Sequence, residues 1–340
     1  MKVSELGEFG LIQLLADIVG KGRNSESASW QQVLIGIGDD AAVWQGDSSI
    51  QLATTDTLVQ DTHFDLSITG WEELGWKAIA VNLSDIAAMG GIPSYALVSL
   101  ALPGELETDC IASLYRGMAG VANEFGVALV GGNIACADKT MITATVLGSL
   151  ENTSALTRSA AAPGDQLAVT GYPGLAAAGL KMLKQNLHFD TETSRLLRQA
   201  HLRPMPRVKE GQILSQQGVR AAIDVSDGLI ADLAHICEAS QVSATVKETL
   251  VPIHPALKAN FKTDCRRLAL AGGEDYELLF AASSEVITQV KKAISCPITV
   301  IGEVTKGMPG QVTLVDGAGR NIPWEQGGWE HFKSEALAPK

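Results

Sequence analysis

The segment from Trp71 to Met89 constrains the fold more than any other stretch of the chain. It reads Trp-Glu-Glu-Leu-Gly-Trp-Lys-Ala-Ile-Ala-Val-Asn-Leu-Ser-Asp-Ile-Ala-Ala-Met. This pattern predicts a long, nearly all-apolar helix, and Gly90-Gly91-Ile92-Pro93 stops it. A helix apolar on almost every side belongs inside a core. The material for one is there, since 46% of the 340 residues are hydrophobic and 19% are charged. That composition excludes a disordered chain. At roughly 150 residues per domain, the length predicts two domains. Asn82 and Asp85 lie three residues apart and share one face of the helix. A polar stripe in such a setting lines a site or an interface.

The rest of the first half alternates helix and strand. An amphipathic helix is expected over 7–19, with short strands at Val33–Ile37 and Ile50–Thr54. A strand at Tyr95–Leu102 and a helix at Thr108–Phe125 follow. Val127–Val130 runs into Gly131-Gly132, and Met141–Leu150 is another strand. The pattern pauses near Glu151–Ser154, which divides the chain into residues 1–152 and 153–340. In the second half, strands are expected at Gln166–Thr170, Ala221–Asp224, Glu277–Ala281, Ile298–Ile301 and Val312–Val315. Helices are expected at Leu175–Leu183, Ile230–Ala239 and Glu285–Ile294, and a Pro-broken basic loop at His201–Arg207. The class is mixed α/β, without internal repeats.

The formal net charge is −12, which argues against a nucleic-acid partner. No run of about 18 apolar residues exists, so no membrane span is expected. Cys110, Cys136, Cys237, Cys265 and Cys296 are odd in number and contain no C-x-x-C, which fits a reducing compartment. With no apolar signal core at Met1–Gly10, the chain reads as soluble and cytoplasmic. The charge is concentrated: Asn24–Trp76 has no Lys or Arg but nine acidic residues.

Two nucleotide-binding patterns fail on inspection. Gly36-Ile-Gly-Asp-Asp-Ala41 spells a dinucleotide fingerprint, but two aspartates stand where a pyrophosphate would lie. Gly174–Gly179 has P-loop spacing, but Leu180 and Lys181 replace the required Lys and Ser/Thr. What remains is a set of carboxylates in apolar settings: Asp39, Asp40, Asp56, Asp85, Asp224, Asp227, Glu274 and Asp275. Singly, each is better read as a turn residue or helix cap. Together they are costly unless paired, and neither Ala221–Val246 nor Leu268–Val290 contains a cation. Oxygen ligands without clustered Cys or His favour Mg²⁺, and so many of them point to several ions around a polyphosphate. Arg158, Arg203 and Arg207 lie on expected loops, as phosphate clamps or as solvated charges. His63 and Trp329 read as structural residues or as ligand contacts.

Taken as an ordered set, these motifs resemble the thiamine-monophosphate kinase family, within the aminoimidazole-ribonucleotide-synthetase-like superfamily. The motifs are Gly36–Asp40, Thr54–Thr57 with His63-Phe64, Trp76–Gly90, Thr157–Ser159, His201–Pro204, Ile223–Gly228, Gly272–Glu277 and Gly328–Phe332. The resemblance implies a two-domain PurM-like α/β fold. Its N-terminal domains form a β-barrel across a homodimer, and the active-site cleft is completed by the C-terminal domain. It implies transfer of the γ-phosphoryl of ATP to thiamine monophosphate. Asp40, Thr54, Thr55, Asp56, Asp85, Asn133, Asp224 and Asp227 would hold several Mg²⁺ ions. Tyr115, Gly132, Asn133, Arg158 and Ser226 would meet ATP, and His63, Glu274 and Trp329 the acceptor. No general base is implied. Positioning and electrostatics by Asp40, Asp85, Asp224, Asp227 and Arg158 would carry the chemistry. One departure stands out: the family pattern has Asp where this chain has Asn133, an oxygen donor without charge. Two alternatives are another ATP-using member of the superfamily and a nucleotide- or thiamine-phosphate-binding protein with reduced catalysis.

Overall fold

The computed structural model describes residues 2–24, 26–35, 37, 43–44, 46, 49–151 and 155–324. They fall into two compact units, Met1–Ile86 with Gly91–Thr153, and Ala87–Gly90 with Ser154–Lys340.

The first unit opens with α1 (Val3–Gly22) and α2 (Ala28–Gln32), then the short strands β1 (Val33–Ile35) and β2 (Val43–Trp44). Next come β3 (Ile50–Val59), α3 (Trp71–Ala88), β4 (Ile92–Leu102), α4 (Thr108–Glu124), β5 (Ala128–Cys136) and β6 (Met141–Leu150). The last four strands make a sheet in the order β3-β6-β4-β5, antiparallel except for the parallel β4–β5 pair. Ile142, Ala144 and Val146 of β6 are buried on one face, while Thr143 and Thr145 point to the other. Thr55 pairs with Thr145 and Thr57 with Thr143 through hydroxyls 3.0 and 2.9 Å apart on that second face.

The apolar α3 is as deeply placed as its sequence requires, with Leu74, Ile79, Ala80, Leu83 and Ala87 all at 0% exposure. It crosses α4 at two reciprocal glycines. A Cβ on Gly75 would lie 1.8 Å from the Leu114 carbonyl, and one on Gly117 would lie 1.9 Å from the Glu72 carbonyl. Only the missing side chains let the two backbones approach so closely. Gly131-Gly132 does not end a strand, as the sequence pattern implies. β5 continues through it to Cys136, because Gly132 packs flat against Val98, whose carbonyl would be 1.7 Å from an added Cβ.

The second unit contains β7 (Gln166–Thr170), α5 (Leu175–Lys184), α6 (Thr191–Leu202), α7 (Val208–Gln216) and β8 (Ala221–Asp224). α8 (Leu229–Ala239), β9 (Ser243–Lys247), α9 (Pro255–Phe261), α10 (Asp264–Ala271) and β10 (Leu278–Ala282) follow. α11 (Ser284–Ala293), β11 (Ile298–Thr305) and β12 (Val312–Val315) complete it. The sheet order is β12-β9-β11-β7-β10-β8, with only β12–β9 parallel. Leu229, Leu233 and Ile236 of α8 join Val169, Ile223, Leu279 and Ile301 of the sheet in one apolar core. The basic segment expected as a loop is partly helical, since α6 runs through His201 and α7 begins directly after Arg207. Asp190 caps α6 by accepting the Thr193 N–H at 2.9 Å. No helix of the described residues is long and apolar enough to cross a membrane.

Gly117→Ala should drive α3 and α4 apart and cost at least about 2 kcal/mol, an overpacking penalty. Urea unfolding of the variant measures it, and an unchanged midpoint would contradict the close crossing.

Candidate functional site

In the first unit, strand alternation sorts the candidate ligands by face. Thr54 and Asp56 share the inner face of β3, which meets α3. Thr54 Oγ1 donates to Asp85 Oδ2 at 2.6 Å. The Asp56 carboxyl is pushed up to about 6, first by burial and then by the neighbouring Asp85 carboxylate. Two carboxyl groups and a hydroxyl therefore converge at one half-buried place. Asn82, the other member of the α3 stripe, is fully buried and donates to the Ala78 carbonyl of its own helix at 3.1 Å. Thr55 and Asn133 lie on the opposite sheet face. Asn133 pairs in register with Ser99, and Ser99 with Thr143. His63 sits half-buried in a turn after β3, where its Nδ1 accepts the Val59 N–H at 3.0 Å. That bond leaves Nε2 to carry the proton of the neutral ring. Tyr115 is 5% exposed on α4, and burial raises its phenol.

Three acids of the cation-free first segment have ordinary duties. Asp61 pairs with Lys139 at 3.0 Å, Asp65 accepts the Ser67 N–H, and Glu73 accepts the Gly70 N–H at the start of α3. Asp39, Asp40 and Trp329 lie outside the described residues.

In the second unit, antiparallel β8–β10 pairing sets Leu278 opposite Asp224 and so joins two motifs about fifty residues apart. Beyond the strands the contact continues. Glu274 N–H donates to the Ser226 carbonyl at 2.7 Å, and Tyr276 N–H to the Val225 carbonyl at 2.9 Å. Gly273 permits it, since a Cβ there would lie 2.5 Å from the Ser226 carbonyl. Buried Asp232, from α8, accepts the N–H groups of Ser226, Asp227 and Gly228 on one oxygen at 3.0, 3.1 and 3.0 Å. Burial, then the Asp224 and Asp227 charges, push it up to about 8. Among the described residues, Asp227, Asp232 and His235 bring possible ligand atoms within 4.8 Å of one another. Asp232 escapes a reading by motif. Its signal is an acid in the first turn of a helix that follows a glycine. Arg158 lies beside the outer edge of β8, next to Thr157, which bridges to Ala221.

Three expectations change here. Asp275 is a helix cap, accepting the Gly174 and Ala176 N–H groups at 2.6 and 3.0 Å at the start of α5. Burial pushes its carboxyl up to about 8 against the pull of those two N–H groups. A protein carboxylate thus stands on the turn whose spacing imitates a P-loop. Arg207 is no free clamp, because its guanidinium grips Glu277 through two bonds of 2.7 and 2.6 Å. The cation-free segment Leu268–Val290 is therefore answered from outside itself.

Residues 38–150 match the N-terminal domain of AIR synthase related proteins, and residues 162–315 match the C-terminal domain. The thiamine-monophosphate kinase of Bacillus subtilis is 41% identical over 88% of this chain and 94% of its own length. The chain belongs to the thiamine-monophosphate kinase family. Its fold is the family's two-domain PurM-like mixed α/β fold. The crystal structure of the thiamine-monophosphate kinase from Stenotrophomonas maltophilia has a TM-score of 0.80 at 35% identity, covering 88% of this chain and 95% of that one. A structure described as AaThiL complexed with AMPPCP and TMP has a TM-score of 0.76 at 33% identity, covering 98% of this chain and 99% of that one.

Two measurements test the geometry. Folding raises the Asp56 pKa, so its contribution is present below about pH 4 and is lost as the pH climbs through about 6. In the metal-free protein, the stability of Asp56→Asn relative to wild type should improve by about 2 kcal/mol between pH 4 and pH 7.5. Urea titrations at the two pH values read this, and a pH-independent difference would contradict the carboxyl pair. Arg207→Leu strands Glu277 and should cost about 3 kcal/mol, partly recovered by Glu277→Gln in the same chain. A normal melting curve with a raised KM for ATP would instead restore the phosphate-clamp role.

Proposed function

We propose that the protein transfers the γ-phosphoryl group of ATP directly to the phosphate of thiamine monophosphate, giving thiamine diphosphate and ADP. The observation that carries this reading is the likeness over 98% of the chain to a structure complexed with AMPPCP and TMP. The convergence of Thr54, Asp56 and Asp85 supports it from the chain itself.

The acceptor is a phosphate oxygen, largely deprotonated near neutral pH, so no strong base is required. The barrier is repulsion between two polyanions, and the residues act by charge and position. An all-oxygen donor set with two carboxyls in mutual repulsion fits a hard divalent cation. Asp40, Thr54, Asp56, Asp85, Asp224 and Asp227 would hold several Mg²⁺ ions. Thr55 and Asn133, on the other sheet face, would serve a separate one. Bound Mg²⁺ supplies positive charge to the phosphate oxygens. Arg158 adds a cation, while Ser226, Gly132, Asn133 and Tyr115 belong to the nucleotide side. His63, Glu274 and Trp329 orient the acceptor, with Glu274 suited to its cationic rings rather than to its phosphate. In this reading the first unit is the ATP- and Mg²⁺-binding and dimerisation domain, and the second carries Arg158, Asp224, Ser226, Asp227 and Glu274.

Thr55 and Asn133 stand on β3 and β5, the two edges of their sheet, three strand spacings or about 14 Å apart. Pairing of these edges with a second copy would close a barrel, cover both edges and set a second β5 beside β3. The described cysteines are free thiols, which suits a cytoplasmic homodimer.

Purified protein given ATP, Mg²⁺ and thiamine monophosphate should form thiamine diphosphate, and no product above a blank would sink the reading. Asn133→Asp should lower the Mg²⁺ concentration for half-maximal rate several-fold, because a charged ligand replaces a neutral one. An unchanged Mg²⁺ dependence would remove residue 133 from the ligand set.

A further inference from the structure

The turn between β8 and α8 carries Ser226 and Asp227, and three consecutive N–H groups of that turn lead to one atom. Ser226, Asp227 and Gly228 donate at 3.0, 3.1 and 3.0 Å to Oδ2 of Asp232. Consecutive N–H groups aimed at one point make a concave anion site, and the start of a helix adds its own positive end. Here a carboxylate of the chain itself fills that place. Asp232 is 1% exposed, whereas Ser226 and Asp227 are half-buried. The N–H side of the turn therefore faces the interior, and the two residues that bear side chains stay within reach of solvent.

Both ends of the contact are rigid. Asp232 lies in the second turn of α8, whose Leu229, Leu233 and Ile236 belong to the apolar core, and its own N–H donates to the Gly228 carbonyl at 2.9 Å. On the strand side, Val225 N–H donates to the Glu277 carbonyl at 2.8 Å and the Ser226 carbonyl accepts the Glu274 N–H at 2.7 Å. Three N–H dipoles and a helix start beside Asp227 would oppose a cation there. Matched by Asp232, they no longer do, and the charge of Asp232 lies close enough to those of Asp224 and Asp227 to repel them. One buried carboxylate thus turns an anion-binding turn into a place that favours positive charge.

We infer that Asp232 is a positioning residue for the divalent cation of the proposed reaction. It draws the three N–H groups to the interior and holds the turn so that Asp227 is presented to the cation. This rests on the reading of Asp227 as a cation ligand. With three donors on Oδ2, Asp232 acts through the turn and not as a ligand.

Asp232→Leu, which removes the acceptor, and Asp232→Asn, which keeps an acceptor oxygen, test it in the full chain. Two measurements need no turnover. One is amide hydrogen exchange over residues 221–230 in the metal-free protein, and the other is calorimetric titration of Mg²⁺ into protein holding the ATP analogue AMPPCP. In the wild type the three amides should be protected without metal or nucleotide, and exchange at the rate of an open loop would overturn the inference. Asp232→Leu should remove that protection and weaken Mg²⁺ binding by about tenfold or more, the usual loss when the partner that orients a ligand is removed. Asp232→Asn should retain most of both. In an Asp227→Asn background, Asp232→Leu should add little further loss. Unchanged Mg²⁺ binding in Asp232→Leu, an Asn variant as poor as Leu, or full additivity with Asp227→Asn would each overturn it. Should the Leu variant not fold, Asp232→Ser, too short to reach three donors, replaces it with the same expectations. If Asp227→Asn itself leaves Mg²⁺ binding unchanged, the reading of Asp227 fails and the inference with it. If Asp227→Asn weakens binding and Asp232→Leu does not, the inference fails alone.

Discussion

A carboxylate withdrawn from water has to be matched by something, and the second unit is arranged around how that is done. Asp232 takes three backbone N–H groups, Asp275 takes the start of α5, and Glu277 takes both arms of Arg207. Each match fixes a piece of chain as well as a charge. The Asp232 bonds shape the Ser226–Gly228 turn that carries Asp227. The Asp275 and Glu277 bonds hold the segment between them in its left-handed conformation. The side chains matched within the protein thereby position those proposed to meet ions and substrate.

Close approach of backbones is the second requirement, and glycine supplies it wherever two motifs must meet. Gly273 brings its segment against Ser226, Gly179 lets α6 rest on α5, and Gly75 with Gly117 lets α3 sink onto α4. The last contact matters beyond packing, because α3 carries Asp85 to the inner face of β3. There the hydroxyl of Thr54 and the carboxyl of Asp56 are waiting on alternate residues of one strand.

Much of this is legible along the chain. The apolar run from Trp71 predicts α3 within a residue, and β7, β8 and β12 fall on their expected limits, because short apolar runs bounded by polar turns leave little choice of register. The helices α6, α7, α9 and α10 and the strand β9 are not legible in the same way. α6 is largely polar outside Leu196, Leu197, Ala200 and Leu202, and its clearest signal is the capping Asp190. The reading of charge errs for a related reason. A segment empty of Lys and Arg looks unmatched, yet Arg207 reaches Glu277 from seventy residues away, and Lys139 reaches Asp61 from seventy-eight. Counting cations within a segment misses partners that folding delivers from elsewhere.

By itself, the sequence determined the class of fold, the motifs in their order and the family they mark, because periodicity and local residue chemistry are properties of neighbours along the chain. Only the tertiary structure decided which acids are caps, which are paired and which converge. It turned Asp275 and Arg207 into structural groups, put Thr55 and Thr54 on opposite faces, and set Asp232 against the Ser226–Gly228 turn. The physical reason is that the state of a carboxylate depends on what surrounds it within a few ångströms, and in this protein those surroundings come from residues far apart in the chain.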